Sequence, residues 1–181
     1  MTGINKAIRE TTYPELKKIK LQNTENYIPL FEDVLKIING KVPLIIELKY
    51  DVKCGELEKK TMELLKQYKG KYAIKSFNPI SVYWLKKNFP EAIRGQLSCN
   101  FKKAKINKVK AFILKNMLLN CFTNPDFISY GIDGFPNNRV EKFRRKKIVL
   151  GWTIRNKEDL NIAKRYCDNF ICENLDDENF I

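Results

Sequence analysis

Apolar residues along the chain fall into two alternating patterns, short runs rich in β-branched and aromatic residues and longer segments in which apolar positions recur every three or four residues. The runs at 42–48, 72–76, 93–97, 127–131, 148–153 and 170–172 predict six strands. Helical spacing lies between them: Leu57, Met62, Leu64, Leu65 and Tyr68; then Tyr83, Trp84, Leu85 and Phe89 behind Pro79; a long helix over 103–121; a short basic helix over 138–145; and a helix over 157–166. Two helices precede the first strand. Thr12 and Glu15 form a capping box with Pro14 in the first turn, which predicts a helix over 13–19. Behind Pro29, Leu30, Phe31, Val34, Leu35 and Ile38 keep helical spacing until Asn39 and Gly40 stop it. The acidic residues after Cys172 suit the start of a last helix.

The segment 42–48 reads Val-Pro-Leu-Ile-Ile-Glu-Leu, apolar on both parities, as expected of a parallel strand covered on both faces. Strands alternating with helices indicate an α/β fold with a parallel sheet. Right-handed crossovers then permit an open doubly wound sheet or a closed barrel. Neither GxGxxG nor GxxxxGK[ST] stands between a strand and its helix, so nothing supports a nucleotide-binding sheet. Polar residues gather instead at strand ends: Glu47 and Lys49, Ser76 and Asn78, Gln96 and Ser98, Tyr130, Thr153 and Arg155, and Glu173. In a barrel they would share one mouth. The expectation is a TIM (β/α)8-type barrel that is incomplete, with about six of its eight βα units and roughly 70 residues short of a typical barrel. No low-complexity linker interrupts it, so residues 1–181 read as one partial domain.

At 181 residues and 44% hydrophobic content the chain can bury a core. Its net charge of +13 comes from 34 basic and 21 acidic residues, with the basic ones spread along the whole length as on a solvated surface. The densest runs, Arg144 to Lys147 and the set Lys102, Lys103, Lys105, Lys108 and Lys110, would attract phosphate or an anionic membrane. No basic motif interleaved with aromatics points to nucleic acid, which is not an expected partner. Five cysteines without a CxxC pair suggest neither a disulfide framework nor a zinc site, and with no signal peptide visible the expected location is cytoplasmic. Residues 108–122, basic and then apolar, suit either packing on the barrel or contact with a lipid surface, but fall short of the roughly 20 residues needed to span a bilayer. The 181 residues contain no histidine, which excludes histidine-based proton transfer by this chain alone.

Four motifs, in order and in register with the βα series, resemble the glycerophosphodiester phosphodiesterase family: Ile28-Pro-Leu-Phe-Glu-Asp-Val-Leu35, Pro43-Leu-Ile-Ile-Glu-Leu-Lys49, Ser76-Phe-Asn-Pro79 and Trp152-Thr-Ile154. The resemblance implies a TIM barrel that cleaves glycerophosphodiesters to glycerol 3-phosphate and an alcohol, with Ca2+ or Mg2+ held by carboxylates. Such chemistry needs a cation because the diester is anionic, and an acid to protonate the leaving alcohol. By resemblance Glu47 matches the family's third metal carboxylate, Lys49 a lysine near the phosphate, and Trp152 the tryptophan that packs the carbon skeleton of the substrate. The family's His-Arg-Gly motif, its Glu-x-Asp metal pair and its second catalytic histidine have no counterpart, so no catalytic residue is carried over. Thr2 to Lys6 resembles the family segment that follows the second histidine, which implies a chain beginning after the first two βα units.

Without the resemblance, Glu47 would read as a salt-bridged rim carboxylate, Lys49 as a solvated lysine and Trp152 as packing. Two functions compete. One is a phosphodiesterase whose activity resides in a complete barrel, with a glycerophosphodiester as substrate; the other is a non-catalytic remnant that binds a phosphate ligand or a partner. Six strands also leave barrel edges open to pairing with another copy. The 181-residue chain is therefore expected to self-associate. Sedimentation velocity over a range of concentrations checks this, and a concentration-independent monomer would contradict it.

Overall fold

The computed structural model describes residues 2–49 and 53–173. The chain divides into two compact units, one containing the residues up to Leu44 together with Lys60–Lys71, the other Ile45–Lys59 together with the residues from Tyr72 onward. The predicted helix in the acidic tail lies outside the described residues.

In the first unit, helix α1 (Tyr13–Leu16) starts where the capping pair places it. The Glu15 carboxylate accepts the Thr12 N–H at 2.8 Å and the Thr12 hydroxyl at 2.9 Å. The helix is shorter than the predicted 13–19. Lys18 and Ile19 donate to carbonyls only three residues back, so its last turn tightens and ends. Helix α2 (Phe31–Ile38) stops at Asn39, which is left-handed at φ 45°, and Gly40 follows at φ 76°.

The six predicted strands are all present: β1 (Leu44–Glu47), β2 (Tyr72–Ser76), β3 (Arg94–Ser98), β4 (Phe127–Gly131), β5 (Ile148–Ile154) and β6 (Asn169–Cys172). They form one sheet in the order β1-β2-β3-β4-β5-β6, and the pairs from β2 to β6 are parallel. Helices α3 (Glu56–Leu65), α4 (Pro79–Asn88), α5 (Lys108–Lys115), α6 (Asn120–Thr123), α7 (Asn138–Arg144) and α8 (Lys157–Tyr166) alternate with them. Sequential parallel order with intervening helices is the layout of a TIM-type barrel, here with six strands.

Two expectations need correction. Strand β1 is not covered on both faces: Ile45 is 48% exposed and Glu47 is exposed, while Leu48 is buried. It is the end strand of the sheet, and among the described residues no further strand closes the barrel over the face that Ile45 and Glu47 share. The predicted long helix over 103–121 is two helices. Asn107 caps α5 by accepting the Val109 N–H at 2.8 Å, and Met117 turns left-handed at φ 50° with its side chain buried, separating α5 from α6.

The register sorts side chains onto two faces. On the helix-covered face, Ile128, Tyr130 and Val149 pack with Met117, Val140 and Cys167, and Phe135 stacks on Tyr166 at 5.4 Å between centroids. A neighbouring cluster joins Ile132, Ile154, Leu160 and Ala163. Each such large aliphatic side chain contributes about 1.5–3 kcal/mol by burial. The opposite, inner face carries Lys75, Gly95 and Phe127 in one row, then Leu97, Ser129 and Leu150, then Gly131 and Trp152.

Gly95 is required by this inner packing. A Cβ built there would come within 2.3 Å of the Phe127 ring, which therefore lies over the glycine. Phe127 is itself buried, so the ring has little room to move aside. Gly95→Ala is expected to destabilise the chain by about 1–3 kcal/mol through overpacking, read as a lowered midpoint in urea unfolding. An unchanged midpoint would show that Phe127 gives way freely.

Candidate functional site

The carboxyl ends of β1, β2 and β3 open into a cavity of about 530 Å³. Its polar groups are Glu47, Lys49, Asn78 and Lys110, and its apolar wall includes Phe77 and Phe101. Glu47 and Lys49 are two residues apart at the end of β1, and both are exposed. Phe77 follows directly on β2. Its ring meets Trp152 edge-on at 5.6 Å and Phe101 at 6.1 Å. Trp152 is thus joined to the cavity wall through Phe77, without lining the cavity. Its indole Nε1 is buried and has no hydrogen-bond partner among the described residues. The Trp152–Thr153 peptide is cis, and the β5–β6 register slips between Trp152 and Ile154.

Apart from Asn78, the other polar strand ends do not line this cavity. Ser76, Gln96, Ser98 and Tyr130 have the opposite parity to the inner face and are spent on structure. The Ser76 hydroxyl donates to Leu48 O at 2.8 Å and the Ser98 hydroxyl to Leu114 O at 2.8 Å. The Gln96 amide donates to the Ser76, Phe77 and Leu97 carbonyls. Tyr130 is wholly buried, donates to Lys115 O and accepts from Asn137 Nδ2, and burial pushes its phenol up to about 12. Arg155 pairs with Glu173 at 2.7 Å on the surface. Asn78 does both jobs, lining the cavity while it accepts the Ile80 N–H at 3.1 Å to cap α4.

One inner-face residue that sequence reading missed is Lys75. It is only 7% exposed, and its Nζ donates to Ser129 Oγ at 3.3 Å. The Leu48 N–H donates to Lys75 O at 2.8 Å, which in a parallel pair sets Glu47 directly opposite Lys75, with both side chains on the inner face. Burial pulls the lysine below its ordinary pKa, and the Glu47 charge opposes that pull. The sequence did hold a signal, since a charged residue inside an otherwise apolar run of a parallel strand has to face the barrel interior or a helix.

Ca2+ and Mg2+ take several oxygen ligands, usually with more than one carboxylate. Among the described residues no three His, Cys, Asp or Glu side chains cluster as a metal site would require. The carboxylate that is present, Glu47, faces an ammonium on the neighbouring strand. The residues described do not fit a resident divalent cation.

No established family profile matches the sequence, and no curated protein matches it. Solved structures do match. A protein of Silicibacter pomeroyi named as a glycerophosphoryl diester phosphodiesterase superposes with a TM-score of 0.63 at 17% identity, over 81% of this chain and 53% of its own. The glycerophosphodiester phosphodiesterase of Thermotoga maritima gives 0.67 at 20% identity, over 95% of this chain and 70% of its own. A phosphodiesterase of Oleispira antarctica, solved with the product sn-glycerol-3-phosphate, gives 0.69 at 20% identity, over 91% and 68%. This chain therefore spans between about half and 70% of the length of these structures. Across the described residues no helix is long and apolar enough to cross a membrane. Strand order, register and superposition agree that the chain has the fold of the glycerophosphodiester phosphodiesterases, an incomplete TIM-type barrel of six parallel strands.

Proposed function

We propose that the chain binds the glycerophosphate part of a phosphodiester in the cavity at the carboxyl ends of β1–β3, and that it is the substrate-holding portion of a phosphoric diester hydrolase. The observation that carries this reading is the pairing of cationic and aromatic walls at one mouth: Lys49 and Lys110 line the same cavity as Phe77, which abuts Trp152. An anionic phosphate needs the cations, and a glycerol or head-group carbon skeleton needs an apolar wall against which to orient. The likeness to structures named as phosphodiesterases, one of them holding sn-glycerol-3-phosphate, supports the same substrate class.

The chain's own residues perform binding rather than bond cleavage. Lys49, on an exposed strand end, supplies a point charge against the phosphate, and Phe77, backed by Trp152, orients the carbon chain. Protonating a leaving alcohol near neutral pH takes an acid tuned to that range, and the sequence offers no histidine for it. Turnover belongs to a barrel that also has the two βα units carrying the family's histidines. The competing reading, a binder of phosphate ligands without turnover, is favoured by the same missing histidine.

Two measurements check this. Isothermal titration of the 181-residue chain with sn-glycerol 3-phosphate is expected to show saturable binding, weakened roughly tenfold by Lys49→Ala through loss of one charge-assisted contact. Absence of binding would contradict the reading. Release of glycerol 3-phosphate from glycerophosphocholine is expected only after the two upstream βα units of a family enzyme are joined to the chain. Release by the chain alone would overturn the histidine argument, and none from either protein would favour the pure binder.

A further inference from the structure

The inner-face pair of Glu47 and Lys75 carries more than the proposed ligand. Lys75 is an ammonium more than nine-tenths buried on strand β2. It has three N–H donors, and the acceptor it meets among the described residues is the single hydroxyl of Ser129, itself fully buried on β4. Its backbone register puts Glu47 directly across from it on β1. Leu97 and Phe127, both buried, share its face of the sheet and wall it with apolar surface. A buried cation in such surroundings is costly unless something anionic compensates it. Glu47 is exposed and in reach as a partial counter-charge, which leaves the ammonium with donors to spare beside the cavity that Glu47 lines.

We propose that Lys75 supplies, from within the chain, the positive charge that a divalent cation would otherwise bring to this mouth, so that the site takes a phosphate monoester without metal. The proposal rests on the phosphate-ester reading above and deepens it. Its physical content is a substitution of one charge carrier for another. A carboxylate opposite a lysine one strand away is partly neutralised by it, and a hard cation demands several more oxygens than this one side chain offers. The same lysine, held by Ser129 and by the strand register, is a fixed positive charge behind the cavity lining that favours an anion entering there. Lys49 and Lys110 stand around the same cavity, so an entering dianion meets cations without any ion being recruited.

The experiment is isothermal titration of the full 181-residue chain with sn-glycerol 3-phosphate and, separately, inorganic phosphate, each in EDTA and in millimolar Ca2+ or Mg2+. The expected result is equal affinity in all conditions. Lys75→Met, which keeps the apolar stem and removes the charge, is expected to weaken binding roughly tenfold. Glu47→Gln, which removes the competing carboxylate and leaves the backbone register alone, is expected to tighten it. Binding that appears only with the divalent ion, or that Glu47→Gln abolishes, would overturn the proposal while leaving the phosphate-ester reading intact. No binding in any condition would overturn that reading and the proposal with it. Thermal unfolding of both variants separates loss of the site from loss of the fold: a weakened but normally folded Lys75→Met protein supports the proposal, and unchanged binding by it overturns it.

Discussion

Parallel pairing of neighbouring strands is the constraint from which the rest of this structure follows. Two parallel strands cannot be joined by a hairpin, so each must be followed by a crossover, which here is helical. Repeated five times, that rule brings the carboxyl ends of all six strands to one edge of the sheet and covers its other face with helices. Glu47 and Lys49 at the end of β1 and Phe77 after β2 become neighbours around one cavity for no other reason. The side-chain period of two then decides which residue at each strand end looks into the barrel and which is spent on holding the loops.

Charge placement follows from the same geometry. The basic residues are mostly spread over the surface, as their even distribution along the chain suggested, but two lysines on β1 and β2 differ in kind, Lys49 lining the cavity and Lys75 buried behind it. Lys49 is exposed and mobile in its chemistry, a point charge on a flexible stem. Lys75 is buried, bonded to Ser129 and opposite Glu47, so its charge is fixed in place. A fixed cation costs desolvation, which an anionic ligand would offset; a mobile one costs little and contributes little until the ligand arrives. In the proposed site the pair would give an anionic ligand both a fixed charge and an adaptable one.

Much of this fold was legible in the sequence. The six strands stood out because a parallel sheet demands continuous apolar, β-branched runs, and the stops at Asn39-Gly40 and the cap at Thr12 are local chemistry that needs no tertiary context. The break between α5 and α6 was not legible: Met117 keeps the helical apolar period, and only its burial in the core fixes the left-handed turn. The exposed face of β1 was missed for a related reason, since an apolar run does not say whether a neighbour lies beyond it. Glu47, Lys49 and Trp152 were singled out by motif; the first two line the cavity and Trp152 stands behind Phe77. That Ser76, Gln96, Ser98 and Tyr130 all face away from the interior depended on register, and Lys75 emerged from that same register alone.

The central claim, that ligand is held at the carboxyl ends of β1–β3 beside the aromatic set, is tested most directly by a nuclear magnetic resonance titration of the isotope-labelled chain with sn-glycerol 3-phosphate. The largest shifts are expected on the backbone amides of Lys49, Phe77 and Phe101 and on the indole N–H of Trp152, all saturating together. Shifts confined to the basic run Arg144 to Lys147, or to the first unit around Ile4 and Leu21, would contradict it.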